Sequence, residues 1–97
     1  MSKQIFEALY KRRLQLIERL VLSFHCVVDR MPHYNVSEDD VLEIFKRGRL
    51  YLSKCELPDK IGLHLYDGKK RKTSVLIVAI RSNYAKVVTL WVQKGRV

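Results

Sequence analysis

The stretch 73–93 is rich in apolar residues and predicts two β-strands joined by a short polar turn. No polar residue interrupts it between 75 and 80, as expected of a strand that is covered on both faces. The segments 49–53 and 61–66 alternate leucine or isoleucine with other residue types, which is typical of strands with one buried face. The pattern therefore predicts a four-stranded antiparallel meander over about 49–93.

The first third of the chain has apolar residues at three- and four-residue steps, which is the spacing of an amphipathic helix. The spacing runs from Ile5 to Met31 and predicts one long helix over about 3–31. Pro32 and Asn35 end it, because proline cannot donate the next backbone hydrogen bond. The polar face of this helix carries the charged residues Lys11, Arg12, Arg13, Glu18 and Arg19.

A second helix is predicted over about 38–47. Ser37 is a favourable N-cap, the three carboxylates after it suit the positive end of the helix, and Gly48 ends it. The whole chain, 1–97, is thus expected to form a single α+β domain. In this domain two N-terminal helices pack on one face of the four-stranded antiparallel sheet.

The strand pattern also predicts which side chains share a face of the sheet. We assume that Arg81 lies opposite Lys86 and that a three-residue loop precedes the third strand. This register assigns Val75, Ile77 and Ala79 to the face that carries the helices. The opposite face then collects side chains that can transfer protons or stack on bases: Tyr51, His64, Tyr66, Ser74, Thr89, Trp91 and Gln93.

The charge of the chain is strongly positive and unevenly distributed, with a formal net charge of +9 at pH 7. No acidic residue follows Asp67, so 68–97 carries eight Lys and Arg, whereas the first 67 residues have eleven basic and ten acidic residues. This one-sided charge predicts a phosphate-bearing or acidic partner. Nucleic acid is the commonest such partner, and an acidic protein surface is the alternative. The same composition also fits a basic protein whose lysines only keep it soluble and bind no such partner.

The chain lacks the marks of several other classes of protein. It has no signal-peptide pattern and no apolar run near the roughly 18 residues of a membrane span. We therefore expect a cytoplasmic protein with no membrane partner. Cys26 and Cys55 form no CxxC pattern, and no His or Cys spacing suits a metal site or a disulfide framework. We expect neither a metal nor a cofactor.

The segment 30–50 and the strands after it resemble a known family. RMPHYNVSEDDVLEIFKRGRL, followed by a meander ending in VVTLW, is similar to the small domains grouped with toxin-type ribonucleases of the barnase, EndoU, colicin and RelE class. The resemblance spans 24–91 and is matched at Arg30, Met31, Val36, Ser37, Val41, Gly48 and Thr89. Where the family has a helix histidine, a second loop arginine and a final tyrosine, this chain has Cys26 (beside His25), Tyr34 and Trp91. The resemblance implies a nucleic-acid-binding protein of the metal-independent ribonuclease type, with RNA favoured over DNA as its partner.

Metal-independent RNA cleavage needs a general base, a general acid and a cation that stabilises the phosphorane charge. The candidate catalytic residues are His64, Arg81, Thr89, His25 and Arg30. The candidate nucleic-acid contacts are Lys69, Lys70, Arg71, Lys72, Lys86, Tyr66 and Trp91. The four consecutive cations bind phosphates without reading sequence, and the indole can stack on a base but cannot transfer a proton. A surface role for His64 and a structural role for His25 stay open.

A different function follows from the length of the first predicted helix, because part of its apolar face is available to another protein. On this alternative the chain is a phage- or plasmid-type accessory protein. It then binds and modulates a larger host protein, such as a nucleic-acid enzyme. For a toxin-type protein the corresponding protein partner is an antitoxin.

Overall fold

A five-stranded mixed β-sheet with helices on one face forms the fold of residues 2–97, which are the residues that the computed structural model describes. The helices are α1 (Ser2–Arg12), α2 and α3 (Glu38–Arg47), and α2 is π-helical over Cys26–Arg30 and α-helical over Met31–Tyr34. The strands are β1 (Leu20–Leu22), β2 (Arg49–Leu50), β3 (Lys60–Asp67), β4 (Lys72–Ile80) and β5 (Ala85–Lys94). Two 3-10 segments are also present, Arg13–Arg19 and Leu52–Lys54. In space the order is β1-β5-β4-β3-β2, with β1 parallel to β5 and the other pairs antiparallel.

The α+β class is confirmed, but the long first helix and the count of four strands were wrong. A strand, β1, lies in the middle of the stretch that was predicted as a helix over about 3–31. Its Leu-Val-Leu sequence suits either element, and pairing with β5 decides between them. Ser23, just after β1, donates its N–H to the Val87 carbonyl at 3.0 Å and its hydroxyl to the Val88 carbonyl at 2.8 Å. The local pattern cannot reveal a partner that lies 65 residues away.

The end of α1 is set by Arg13, which was expected on a solvent-exposed face and is only 4% exposed. Its guanidinium donates to the carbonyl oxygens of Tyr10, Phe45 and Lys46, each at 2.8 Å. The last two carbonyls belong to the final turn of α3, where helix carbonyls have no partner within the helix. The Arg13 Cζ also lies 3.8 Å from the centre of the Tyr10 ring. The regular helix therefore stops where this side chain turns inward to cap α3.

α2 passes through Pro32 and ends at Asn35. In a regular α-helix the ring of Pro32 would collide with the carbonyl four residues before it. The π-helical turn is wider, since the Met31 N–H donates to the Cys26 carbonyl, and it removes that conflict. Asn35 then adopts a left-handed conformation with φ of 55°, which closes the helix.

The helices pack on the sheet face that carries Leu63, Leu76 and Leu90, which pair across β3, β4 and β5 and are at most 1% exposed. The helical segments contribute these buried residues to the same core: Phe6, Leu16, Cys26, Met31, Val41, Ile44 and Phe45. We call this the helix face. The opposite, open face carries none of α1, α2 and α3.

β4 pairs with both neighbours in a register that differs from the prediction. The turn before β4 has four residues, since Asp67 pairs with Lys72. On the other side Lys86 pairs with Ala79, so it does not face Arg81. The three-residue loop and the Arg81–Lys86 pair were therefore wrong.

The side chains of β4 therefore lie on the faces opposite to those predicted, because a one-residue change of register moves each side chain of a strand to the other face of the sheet. Val75, Ile77 and Ala79 lie on the open face, and Ser74 lies on the helix face. A β-bulge between Ile77 and Val78 leaves a one-residue shift along the far half of β5. Relative to β4, β3 and this half of β5 are both shifted by one residue from the predicted register. The side chains that were predicted to share a face on these two strands therefore still do so: His64, Tyr66, Thr89, Trp91 and Gln93.

Candidate nucleic-acid interface on the open sheet face

One row of side chains crosses four strands on the open face. Arg49 of β2 pairs with His64 of β3. Val75 of β4 pairs with His64 on one side and with Trp91 of β5 on the other. Val75 is fully buried although none of α1, α2 and α3 covers this face. The row therefore presents an imidazole and an indole on either side of an aliphatic floor, with a cation at its end.

The rows on either side extend this surface. Tyr66 pairs with Thr73, which pairs with Gln93, and Thr89 lies in the row on the other side. The Trp91 Nε1–H donates to Gln93 Oε1 at 2.8 Å. We call the side chains that these rows gather the platform: His64, Tyr66, Thr89, Trp91 and Gln93.

The 3-10 segment Leu52–Lys54 lies over the open face at Gly62. A Cβ at this position would be 2.7 Å from the Lys54 Cβ and 3.1 Å from the Tyr51 carbonyl oxygen, so only glycine fits. The Lys54 side chain extends from there across the sheet, and its Nζ lies 5.7 Å from the centre of the Trp91 ring. This is within range of a cation–π interaction, so a cation is held beside the indole of the platform.

The residues that follow β5 return to the open face. Gly95 has a φ of 76°, donates its N–H to the Arg71 carbonyl at 2.9 Å and accepts a hydrogen bond from the Thr73 hydroxyl. This turn places the Arg96 Cζ 4.1 Å from the centre of the Tyr66 ring. A second cation thus covers an aromatic ring of the platform.

His64 is held towards its neutral form by its surroundings. Burial is the larger cause that lowers the pKa of His64, and the nearby charge of Arg49 lowers it further. The Tyr51 ring packs edge-on against the imidazole, with the ring centres 5.3 Å apart. A neutral imidazole can donate one hydrogen bond and accept another, so it can contact a base as well as stack on it.

Arg81, a predicted catalytic residue, lies away from the platform. It follows β4 and forms an ion pair of 2.6 Å with Asp59. Along the strand it is about 20 Å from the row that contains Val75. Its cation therefore balances a carboxylate at the end of the sheet.

His25 and Arg30 lie on the other side of the sheet from the platform. The Arg30 Nε donates to His25 Nε2 at 3.1 Å, and His25 Nδ1 is 3.8 Å from Asp29 Oδ2. α2 packs on the helix face, so the sheet separates this group from His64. Of the five predicted catalytic residues, only His64 and Thr89 lie on the platform. His25 is also exposed, which does not fit the structural role that the sequence left open for it.

The basic turn, 69–72, is shaped by Asp67. The Asp67 Oδ1 accepts hydrogen bonds from the backbone N–H groups of Lys69 at 2.9 Å and Lys70 at 3.3 Å. Arg71 completes the turn in a left-handed conformation with φ of 53°. Aspartate is well suited to this role because its side chain can bond the backbone two residues on.

A cleft of about 680 Å³ lies between the basic turn and α3. Asp40 and Glu43 of α3 line it opposite the lysines of the turn. Hydrogen bonds with Ser37 are the main cause that lowers the pKa of Asp40, and the charge of Lys70 lowers it further. Part of the positive charge of the turn is therefore balanced within the molecule.

Three cations beside the platform were missed as predicted contacts: Arg49, Lys54 and Arg96. The alternation along β2 could have indicated Arg49, because it shares a face with His64. The positions of Lys54 and Arg96 depend on how a loop and a tail fold back, which the strand pattern does not specify. Lys86, which was predicted, lies on the open face opposite Ala79.

Comparisons of the chain with protein-family models, with curated proteins and with solved structures find no match. The resemblance to toxin-type ribonucleases therefore stays a prediction. Within residues 2–97 the structure has no helix that is both long and apolar enough to cross a membrane.

Proposed function

We propose that the protein binds single-stranded nucleic acid, RNA in the first place, by stacking unpaired bases on the platform. The observation that supports this most directly is the row formed by Arg49, His64 and Trp91 on the open face. Flat side chains stack on any base, and cations beside them attract the phosphates of the same strand. Lys54 and Arg96 supply two more of these cations next to the rings of the platform.

The spacing of the platform favours unpaired strands. His64 and Trp91 are two strands apart, or about 10 Å, and His64 and Tyr66 are about 7 Å apart along β3. Bases in a duplex are about 3.4 Å apart along each strand, so a base that meets one of these rings must have left the stack. None of α1, α2 and α3 lies on the open face, so none of them can enter a major groove from the platform.

We propose binding without cleavage as the primary activity. Only His64 and Thr89 of the candidate catalytic set lie on the platform, and cleavage needs an acid, a base and a cation close together. We therefore expect labelled RNA to stay intact when it is incubated with the purified protein in EDTA. Cleavage that is lost in a His64→Ala variant would instead support the ribonuclease interpretation.

Trp91 gives a direct test of the binding proposal because it is the single tryptophan of the chain. Titration with single-stranded RNA at low salt should quench its fluorescence to saturation. Trp91→Ala, followed by the anisotropy of labelled RNA, should weaken binding about 5- to 150-fold, the range for losing one stacked base. His33→Ala is the matched control, since His33 is exposed on α2 and lies away from the open face. Equal RNA binding by Trp91→Ala and the unmodified protein would contradict the proposal.

A second candidate function, binding and modulation of a larger protein, is favoured by an apolar stripe that begins just before α2 and continues into it. Phe24, Val27 and Val28 are 81%, 44% and 55% exposed, and their spacing puts them on one side of a helix. A pull-down from the native host should then recover a protein in stoichiometric amount. Phe24→Ser should abolish this recovery and leave RNA binding unchanged. If no stoichiometric protein is recovered, this alternative fails.

A further inference from the structure

The hydrogen bond between Trp91 and Gln93 fixes which end of the Gln93 amide faces outward. The indole Nε1–H is a donor and has no acceptor, so the atom that receives its hydrogen bond at 2.8 Å must be the amide oxygen. The two N–H donors of the same amide then point away from the indole nitrogen. Within residues 2–97 they bond to no protein acceptor, so they are free for a ligand.

The position of these donors matters because Gln93 lies beside the ring on which a base would stack. Trp91 and Gln93 are two residues apart on β5 and share the open face. A base on the indole has its edge next to the Gln93 NH₂ group. Lys54, whose Nζ lies 5.7 Å from the same ring, also has only donors. The surroundings of the stacked base are therefore rich in donors.

Bases differ in what their edges offer to such donors. Guanine and uracil carry a carbonyl oxygen where adenine and cytosine carry an amino group. A carbonyl oxygen accepts a hydrogen bond from the Gln93 NH₂ group. An amino group on the base is itself a donor, so it cannot form this hydrogen bond. We propose that Gln93 determines base specificity and makes the platform prefer keto bases, guanine and uracil or thymine, over amino bases. This inference rests on the proposed binding of single strands.

The other polar groups of the platform do not oppose this preference. The hydroxyls of Thr89 and Tyr66 and the neutral imidazole of His64 can each donate or accept, so they fit either class of base. Gln93 is the platform side chain whose hydrogen-bonding direction is set by a protein contact. Its amide is therefore the group that can tell the two classes apart.

The experiment compares short oligouridine and oligocytidine of equal length by quenching of Trp91 fluorescence. The two ligands have the same backbone, and their bases differ at one exocyclic group and the neighbouring ring nitrogen. We expect uridine to bind about fivefold more tightly, which corresponds to one net hydrogen bond. Gln93→Ala should bring the ratio of the two affinities close to one.

Gln93→Glu gives the opposite expectation. One carboxylate oxygen still accepts from the indole, and the other can accept from the amino group of cytosine. The added negative charge weakens the binding of both oligonucleotides, so the readout is the ratio of their two affinities. This ratio should change to favour oligocytidine. Equal affinity of the unmodified protein for the two ligands would overturn the inference and leave the proposed function standing. Absence of quenching by either ligand would overturn the proposed function itself.

Discussion

The Arg13 Nε–H donates to the carbonyl oxygen of Phe45 over 2.8 Å and so joins the end of α1 to the end of α3. A second link lies beside it, where the Tyr10 hydroxyl donates to the Gly48 carbonyl at 2.7 Å. Burial lowers the pKa of Arg13, and the contact with Tyr10 opposes that shift. No carboxylate pairs with this cation within residues 2–97, so carbonyl oxygens and an aromatic face hold its charge.

Arg13→Met should lower the free energy of unfolding by about 3 kcal/mol, because buried carbonyl groups lose their donors. Urea denaturation followed by circular dichroism measures this change. Lys11→Met is the control, since Lys11 is exposed two residues earlier, and it should change stability by less than about 0.5 kcal/mol. Small and equal effects of the two substitutions would contradict the role of Arg13.

Gly62→Ala should destabilise the protein by about 1–3 kcal/mol, the usual range for overpacking. The new methyl group would meet the Lys54 Cβ at 2.7 Å, so the 3-10 segment above it must move. Gly68→Ala is the matched control, because the nearest atom to its methyl group is 3.8 Å away. Thermal unfolding measures the melting temperatures of both variants, and that of Gly62→Ala should be the lower one. Equal melting temperatures would show that the segment does not pack tightly on the open face.

The fold was predictable where local pattern and tertiary structure agree. Ser37, the predicted N-cap, does begin α3, where it forms a capping box with Asp40, and the predicted bounds 38–47 agree with the observed helix. β1 shows the opposite case. Leu20, Val21 and Leu22 fit a helical stripe, and only pairing with a strand far along the chain makes them extended.

The candidate site was predictable in part because two register errors cancelled. The predicted pairing of β4 with β3 was wrong by one residue, and so was its predicted pairing with β5 along most of the strand. Only the side chains of β4 were therefore assigned to the wrong face. His64 and Trp91, on the outer strands of that trio, kept their relation. Turn length decided the register, and the four-residue turn is stabilised by Asp67, whose side-chain bonds the apolar pattern does not show.

Acid should destabilise the folded protein through His64. The pKa of this group is lowered in the folded state from its ordinary value of 6.5, so the unfolded chain binds the proton first as pH falls. The contribution of His64 to stability is therefore present above about pH 7 and is lost as pH falls through 6.5 towards the folded pKa. His64→Gln should flatten the dependence of the free energy of unfolding on pH in this window.

Arg49→Gln separates the two causes of the His64 shift. Removing the nearby cation should raise the pKa of His64, but not as far as 6.5, because burial is the larger cause and persists. Titration of the imidazole resonances by NMR measures this. A pKa that does not move in Arg49→Gln would show that the row from β2 to β5 does not couple these two side chains electrostatically.

Salt dependence can separate the basic turn from the platform as phosphate contacts. For single strands each phosphate contact contributes about 0.7 to the slope of log K against log salt. Replacing all four residues of 69–72 with glutamine should lower the slope by about 1–2, less than four full contacts, because the charge of Lys70 already interacts with Asp40.

The matched variant, which we call the platform variant, replaces the three cations beside the platform, Arg49, Lys54 and Arg96, with glutamine. It should lower the same slope by about 2. At high salt, where phosphate contacts are screened, the turn variant should bind like the unmodified protein. The platform variant should stay weaker there, because Lys54 and Arg96 lie against the rings on which bases stack. The measurement is the affinity for one single-stranded RNA at a series of salt concentrations. If the turn variant abolishes binding and the platform variant keeps it, the interface lies at the turn and not on the open face.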